Sequence, residues 1–238
     1  MGDDDLYLHD AYRTEFESVV TASEGPSIVL GTTAFYPSGG GQPNDTGVLT
    51  DTRGRAFRVT DVAKGSNGVV HRLDAEGPSV GTAVRGRIDW DRRFAHMRHH
   101  TALHILSGVV YRRFGSTITG GQIYTDRARM DFSLPEFSRE IADQLVEGIN
   151  DVVRRNLPVR VRFVAREELG RDPSLVRVAA HLVPDVETLR LIDIEGFDVQ
   201  ADGGTHVRST GEVGAARLLG IENKGARHKR MTLALPPP

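Results

Sequence analysis

Residues 84–114 read VRGRIDWDRRFAHMRHHTALHILSGVVYRRF, and the hydrophobic pattern changes within this stretch. Up to Ile88, apolar and polar residues alternate, which is the period of a half-buried β-strand. From Asp91 onward, apolar residues recur at steps of three and four positions, which is the period of an amphipathic helix. We therefore expect a β domain over residues 1–88 and a second domain of mixed structure over residues 89–238.

Short runs of apolar or alternating residues, separated by glycine-rich turns, fill the first of these domains. The run DTRG at residues 51–54 is typical of a hairpin turn. Many short strands joined by such turns favour a small β-barrel. The strands are predicted at residues 27–30, 55–59, 68–73 and 84–88.

The second domain combines helices and strands, so the chain as a whole is predicted to be α+β. The first helix is expected over residues 91–114, with Asp89 or Asp91 as its N-cap and Gly115 after its last residue. The final strand is expected to pair with the strand that precedes it. A second helix from Pro135 or Glu136 to Asn156 is predicted, followed by strands at residues 159–163, 189–194, 213–221 and 229–235.

The composition is that of a globular protein that binds no membrane. The 238 residues carry a formal net charge of −2, and 26% of them are charged. The absence of cysteine excludes disulfides, thiolate metal sites and cysteine nucleophiles. The acidic start of the chain is unlike a signal peptide. We expect a cytoplasmic monomer or homodimer without DNA as a partner.

Two histidines on the first predicted helix are candidate metal ligands. His100 and His104 are four residues apart, so their side chains lie one helical turn apart on the same face. Asp202 and His206 flank a Gly-Gly-Thr loop that can bend to direct both side chains to one point. Three imidazoles and a carboxylate suit Zn²⁺, and Fe²⁺ or Mn²⁺ use such sets too.

Histidines at this spacing also occur on helices that bind no metal, and His96 and His99 lie close by. The zinc-peptidase pattern is not met, because Thr101 occupies the position of the general-base glutamate.

Several motifs together resemble the editing domain of alanyl-tRNA synthetase and its free-standing relatives, the AlaX family. The resemblance extends from about Phe35 to Leu235 and rests on the order of separate motifs. They are YPSGGGQPNDTG at residues 36–47, HTALH at 100–104, GGQIY at 120–124, RARMDF at 127–132, GGTHV at 203–207 and NKGARHKR at 223–230.

This resemblance implies a small N-terminal β-barrel followed by an α+β editing domain that threonyl-tRNA synthetase shares. It implies deacylation of tRNA(Ala) that carries serine, with glycine as a second candidate, and it implies Zn²⁺. The family normally has cysteine at the position of Asp202. A carboxylate also binds Zn²⁺, so the resemblance assigns His100, His104, Asp202 and His206 as ligands and leaves Fe²⁺ or Mn²⁺ as alternatives.

The glycine-rich motif supplies candidate substrate contacts at Gly40, Gly41 and Gln42. The glutamine can donate and accept hydrogen bonds, and the alternative is a solvated turn residue. Thr101 has two interpretations. Its hydroxyl contacts the serine of the substrate, or it bonds to its own helix backbone. Gln122 and Asp131 are further candidates for the substrate pocket.

Basic residues near the C-terminus are candidate contacts for the acceptor end of tRNA(Ala). Lysine and arginine side chains bind phosphates, although most charged clusters are only solvated. The cluster comprises Lys224, Arg227, Lys229 and Arg230.

Three functions are therefore open for this sequence. The first is an editing hydrolase of mischarged tRNA(Ala). The second is a non-catalytic tRNA-binding module with a degenerate metal site, and the third is a metal-dependent hydrolase of another small ester or amide. The intact set of three histidines favours an active site.

Overall fold

The computed structural model describes residues 4–171, 187–225 and 228–237. The chain forms two compact units, Met1–Phe94 and Ala95–Pro238. The domain bounds expected from the sequence, 1–88 and 89–238, stay a prediction. Among the described residues, no helix is both long and apolar enough to cross a membrane.

The first unit contains a closed barrel of six antiparallel strands in the order β1-β2-β5-β4-β3-β6. The predicted barrel is thereby confirmed. A single-turn helix, α1 (Leu6–His9), precedes it. The strands are β1 (Glu15–Glu24), β2 (Ser27–Leu30), β3 (Gly47–Asp51), β4 (Ala56–Gly65), β5 (Gly68–Leu73) and β6 (Ala83–Ile88).

Strands β1 and β3 were not among the predicted strands. Most side chains of the ten-residue strand β1 are polar and only Phe16 and Val20 are buried, so its alternation is weak.

The packing of the barrel interior explains why the partner strand β6 contains a glycine. A Cβ at Gly86 would lie 2.3 Å from the Phe16 ring, so only glycine fits beside that ring.

A buried ion pair ties the loop before β3 to the start of the long helix within the first unit. The Arg93 guanidinium donates to the Asp45 carboxylate at 2.5 Å, and both side chains are 0% exposed. Arg93 also donates to the carbonyls of Ala11 and Ala34, and the Tyr36 amide donates to Asp45 at 2.6 Å. All of these charges and dipoles are thus satisfied in the interior.

The second unit has two antiparallel sheets, in the orders β12-β13-β8-β7 and β11-β10-β9. The predicted α+β class is confirmed. The helices are α2 (Trp90–Phe114), which begins in the first unit, α3 (Arg139–Arg154) and α4 (Arg166–Arg171). The strands are β7 (Ile118–Ile123), β8 (Ala128–Ser133), β9 (Val159–Ala165), β10 (Thr188–Ile194), β11 (Asp198–Ala201), β12 (Arg217–Asn223) and β13 (His228–Ala234).

The first predicted helix agrees with α2 and the second needs a correction. The Arg93 amide donates to the Asp89 carbonyl at 3.1 Å, which makes Asp89 the N-cap, and Gly115 follows the last turn with a φ of 62°. Helix α3 begins at Arg139 rather than at Pro135 or Glu136. Its start is set by Ser138, whose hydroxyl accepts the Ile141 amide at 3.2 Å.

The strand predicted at residues 213–221 begins only at Arg217. Residues Thr210–Val213 form a 3-10 turn instead, with a capping box between Ser209 and Glu212. The last strand does pair with the strand before it, as predicted. Strands β7, β8 and β11 were not predicted. Two glycines weaken the pattern of β7 and β11 has only four residues, whereas β8 alternates regularly and its pattern could have identified it.

Glycines let α2 pack closely inside the second unit. A Cβ at Gly108 would lie 2.7 Å from the Phe197 ring, and a Cβ at Gly148 would lie 2.9 Å from the Val109 side chain. Such distances are shorter than normal contacts, so these two positions require glycine. The close approach places α2 against α3 and against the turn between β10 and β11.

Replacing Arg93 by Met should destabilise the first unit by roughly 3–5 kcal/mol, because it leaves the Asp45 carboxylate buried and unpaired. The single tryptophan, Trp90, stacks on Phe94 in this unit, so its fluorescence during urea unfolding reports on this unit. The control is Arg85→Met, which breaks a solvent-exposed pair with Glu15 and should leave the midpoint unchanged. Equal midpoints for both variants would contradict the assignment.

Candidate metal centre

Four potential metal ligands converge in the interior of the second unit. His100, His104, Asp202 and His206 each offer one donor atom, and all four atoms lie within 4.8 Å of one another. The ring centroids of His100 and His206 are 4.3 Å apart, and those of His104 and His206 are 4.6 Å apart. The group predicted from two distant motifs is therefore brought together, and it can hold a metal ion.

Helix α2 contributes two of these side chains from one face. His100 and His104 are separated by one turn, with ring centroids 5.2 Å apart. Both rings are buried, as is the ring of His206. The Nδ1 atom of His104 has no hydrogen-bond partner among the described residues. Burying imidazole nitrogens without partners is unfavourable, so a cation at this point would satisfy an unmet demand.

The loop that follows β11 supplies the other two donors and bends tightly around Gly204. The Asp202 Oδ2 atom accepts the Gly204 amide at 2.6 Å and lies 3.0 Å from His206 Nε2. Its Oδ1 atom lies 3.6 Å from His100 Nε2. Asp202 therefore shapes its own loop and also directs a carboxylate oxygen at the histidines.

A buried arginine fixes the backbone of Asp202 from the neighbouring strand. The Arg190 guanidinium donates to the Asp202 carbonyl at 2.8 Å, and the Asp202 amide donates to the Arg190 carbonyl at 3.1 Å. Arg190 is only 2% exposed although it lies in the apolar strand β10. The sequence analysis missed this residue. A lone arginine within the run LRLI is the signal that could have identified a buried cation.

Side chains from α2 and α3 hold the chain that continues from His206. The Arg98 guanidinium donates to the carbonyls of Glu212 and Val213 at 2.8–3.1 Å. The Asn150 amide group both donates to and accepts from the backbone of Ala216. These anchors fix the segment that follows the His206 loop at residues 212, 213 and 216.

Thr101 lies between the two helical histidines and contacts the fourth donor residue. Its Oγ1 atom is 3.1 Å from His206 Nδ1 and accepts the Val207 amide at 3.3 Å. The side chain is fully buried. The predicted contact with a substrate hydroxyl stays a prediction, and the alternative bond to its own helix backbone is not what the structure shows.

The electrostatics favour neutral imidazoles beside an ionised carboxylate. Burial lowers the pKa of His104 to about 4, and it also lowers the pKa of His100 and of His206. Burial opposes ionisation of Asp202, but the positive charge that His100, His206 or His104 carries whenever it is protonated, together with the His206 hydrogen bond, holds the pKa of Asp202 well below its usual range. Neutral imidazole and carboxylate are the protonation states that bind metals.

The glycine-rich motif forms a tight turn in the first unit. Gly39 and Gln42 exchange backbone hydrogen bonds at 2.9 and 3.0 Å, and the intervening Gly40 and Gly41 have φ values of 57° and 82°. Positive φ at both central positions is the requirement of a type I′ hairpin turn. Gln42 is 1% exposed, so it is not the solvated turn residue that was the alternative. Its contact with a substrate stays a prediction.

Two other predicted residues lie on neighbouring strands of the four-stranded sheet. Asp131 accepts two hydrogen bonds from Arg230 at 2.6 and 2.7 Å, and Arg230 lowers the pKa of the Asp131 carboxyl. Gln122 is paired with Arg129 in the register of β7 and β8. A proposed pocket residue and a proposed tRNA contact thus form one ion pair, and both roles stay predictions.

The predicted basic cluster contains residues in different environments. Lys224 has 44% of its side chain exposed, with its Nζ atom 3.4 Å from a Glu222 carboxylate oxygen. Lys229 is buried, and its ammonium donates to the Gly225 carbonyl at 3.0 Å. Arg227 lies outside the described residues. Of the described members, Lys224 is the most accessible to a phosphate.

Both units of the chain match families of tRNA synthetase domains. The profile of class II (A) tRNA synthetases matches residues 7–92, and that of the threonyl and alanyl tRNA synthetase second additional domain matches residues 189–232. The chain thus combines parts found in alanyl-tRNA synthetases. It is 41% identical to the alanine–tRNA ligase of Pyrococcus abyssi over 91% of its own length, but only 24% of that ligase is covered.

Free-standing proteins match over nearly their whole length. The alanyl-tRNA editing protein AlaX-M of Saccharolobus solfataricus is 41% identical, with 98% of this chain and 99% of that protein covered. The AlaX-M of Methanosarcina mazei is 39% identical, with 97% and 95% covered. This chain belongs to the AlaX-M family, which confirms the resemblance drawn from the motifs.

Because the group of four can hold a metal ion, replacing Gly204 by Ala is expected to prevent a metal ion from binding there. An added Cβ would lie 2.2 Å from Cε1 and 2.4 Å from Nδ1 of His100, so the ring must move out of the group of four. The neighbouring Gly203 provides the matched control, because a Cβ there meets nothing within 4 Å. Zinc content by elemental analysis, with circular dichroism as the test of folding, should separate the two variants. Equal zinc content would disprove the steric argument.

Proposed function

We propose that this protein is a metal-dependent hydrolase that deacylates mischarged tRNA(Ala). Ser-tRNA(Ala) is the chief proposed substrate and Gly-tRNA(Ala) the second. The observation that carries the proposal is the buried convergence of His100, His104, Asp202 and His206 in a chain of the AlaX-M family. A free-standing editing protein of this kind acts on tRNA that a synthetase has already released, in the cytoplasm.

The donor set supports Zn²⁺ as the bound metal. A tetrahedral zinc ion with ligands at ~2.0–2.2 Å requires donor atoms about 3.4 Å apart. Asp202 Oδ2 lies 3.0 Å from His206 Nε2 and Asp202 Oδ1 lies 3.6 Å from His100 Nε2, and one donor atom from each of the four residues lies within 4.8 Å of the others, so small side-chain movements bring them to that spacing. Three neutral imidazoles and one carboxylate carry a charge of −1, which a divalent cation compensates. An oxygen in place of sulfur makes the set harder, so Fe²⁺ or Mn²⁺ are the alternatives.

The chemistry is hydrolysis of the ester that joins an amino acid to the 3′ end of tRNA. A bound divalent metal supplies Lewis acidity towards the ester carbonyl or lowers the pKa of a water molecule. The protein residues hold the donor atoms rigidly and keep them away from bulk solvent. We propose Gln42, Gly40 and Gly41 as substrate contacts on the strength of the glycine-rich motif, and Gln122 and Asp131 as further residues of the substrate pocket.

The acceptor end of tRNA(Ala) is the proposed partner, and the basic residues near the C-terminus are its proposed contacts. Lys224 supports this best because its ammonium is accessible. Arg230 supports it less directly, because its guanidinium is already paired with Asp131. Lys229 is the weakest member, since its side chain is buried. Arg227 completes the proposed cluster by sequence position.

Replacing Asp202 by Ala should lower zinc affinity by more than about tenfold. Loss of a residue that only supports a ligand costs roughly 10–100-fold, so loss of the ligand itself should cost at least as much. Serine release from Ser-tRNA(Ala) should fall with it. Asp202→Cys restores the donor that is usual in the family and should bind zinc at least as well as the wild type. Affinity is measured by competition with a chromogenic chelator.

Three outcomes of this experiment separate the candidate functions. Bound metal, serine release and a defective Asp202→Ala variant support the editing hydrolase. Binding of tRNA without metal or turnover would instead identify a tRNA-binding module, which the aspartate at a cysteine position would then explain. Turnover of simple esters without any dependence on tRNA would identify a hydrolase of another substrate class.

Replacing Lys224 by Ala should weaken tRNA(Ala) binding and reduce the slope of log affinity against log salt by about 1, because one phosphate contact is lost. Filter binding at several salt concentrations measures both quantities. Lys64→Ala, at an exposed lysine on β4 of the first unit, is the matched control and should leave the slope unchanged. An unchanged slope for Lys224→Ala would remove this residue from the proposed contact surface.

A further inference from the structure

We propose that Thr101 is a positioning residue that orients the His206 imidazole for metal binding, and not the group that reads the substrate hydroxyl. The proposal rests on the proposed metal-dependent function. Its basis is the location of Thr101 between two donor residues on α2, with its hydroxyl oxygen 3.1 Å from His206 Nδ1.

The hydroxyl is already engaged within the protein. Its oxygen accepts the Val207 amide at 3.3 Å, which leaves one lone pair and one proton, and both can serve His206 Nδ1. Among the described residues, no hydrogen bond joins Thr101 to the Met97 carbonyl of its own helix. The side chain is 0% exposed, so a substrate hydroxyl would have to displace an existing partner to reach it.

A hydroxyl at this point serves both tautomers of the imidazole. His206 Nε2 lies 3.0 Å from the Asp202 carboxylate, so a proton on Nε2 is donated to Asp202 and Thr101 donates to Nδ1. When Nε2 gives its lone pair to a metal, the proton resides on Nδ1 and is donated to the Thr101 oxygen. Because the hydroxyl is both donor and acceptor, the ring keeps its orientation in both states.

The Val207 amide adds a second constraint on the same loop. Since Thr101 holds the ring of His206 and the backbone of the next residue, one side chain on α2 fixes both the position and the rotation of the fourth donor. The same helix carries His100 and His104, so the hydroxyl links the relative placement of three donors. This is the behaviour expected of a group that supports a metal ligand.

The test compares Thr101→Val, which keeps the shape but removes the hydroxyl, with Thr101→Ser, which keeps the hydroxyl. Zinc affinity is measured by chelator competition, and deacylation is measured on Ser-tRNA(Ala) and Ala-tRNA(Ala). We expect Thr101→Val to lose about 10–100-fold in zinc affinity and Thr101→Ser to stay within a few-fold of the wild type. The preference for serine over alanine should be unchanged in whatever activity remains.

A Thr101→Val variant that binds zinc normally but deacylates Ala-tRNA(Ala) would overturn the proposal in favour of a substrate reader. A wild type that binds none of Zn²⁺, Fe²⁺ and Mn²⁺ would instead overturn the proposed metal-dependent function. If Thr101→Val does not fold, nitrogen NMR of the zinc-loaded wild type decides. The proposal requires a protonated Nδ1 and a metal-bound Nε2 at His206, and the reverse assignment would refute it.

Discussion

Three imidazoles and one carboxylate lie close together in the interior of this protein. The surrounding structure must hold these four side chains in place and supply partners for their polar atoms. Donor atoms within 4.8 Å of one another need a backbone that holds their positions, which a mobile surface loop does not provide. Two come from a single turn of α2, where the helix fixes their separation. The other two come from a five-residue loop that Arg190 fastens at Asp202, while Arg98 and Asn150 fasten the chain further on, at Val213 and Ala216. Hydrogen bonds offset part of the cost of burying these polar groups, and the His104 Nδ1 atom, which has none among the described residues, is left for a ligand to satisfy.

Glycine has two different physical roles in this protein: it makes room for a neighbouring side chain, or it adopts a backbone conformation with positive φ. Gly204 makes room for the ring of His100, and Gly108 makes room for Phe197 beside α2. Gly40 and Gly41 supply the left-handed backbone of a turn in the first unit, and a Cβ at Gly40 would meet nothing within 4 Å. A motif rich in glycine therefore does not identify a ligand site on its own. At Gly204 the reason is close approach, and at the turn it is conformation.

An aspartate at position 202, where the resemblance to the family leads us to expect cysteine, is accommodated by the local structure. Asp202 accepts the Gly204 amide with the same oxygen that faces His206, so its carboxylate is oriented before a metal binds. A thiolate would make a weaker hydrogen bond to that amide. Carboxylate and imidazole are both common zinc donors, and the hardness of the set bears on the choice between Zn²⁺, Fe²⁺ and Mn²⁺. The carboxylate of Asp202 thus both shapes its loop and bears on which metal ion the group of four would prefer.

The sequence by itself determined the features that neighbouring residues encode. The period of α2, its end at Gly115, the barrel class and the placing of His100 and His104 on one face all follow from local spacing. The motifs also identified the family. Only the tertiary structure decided that Arg190 supports Asp202 and that the Thr101 hydroxyl meets His206. Those contacts join residues that are far apart in the chain, and their existence depends on strand register and helix packing, which no local pattern records.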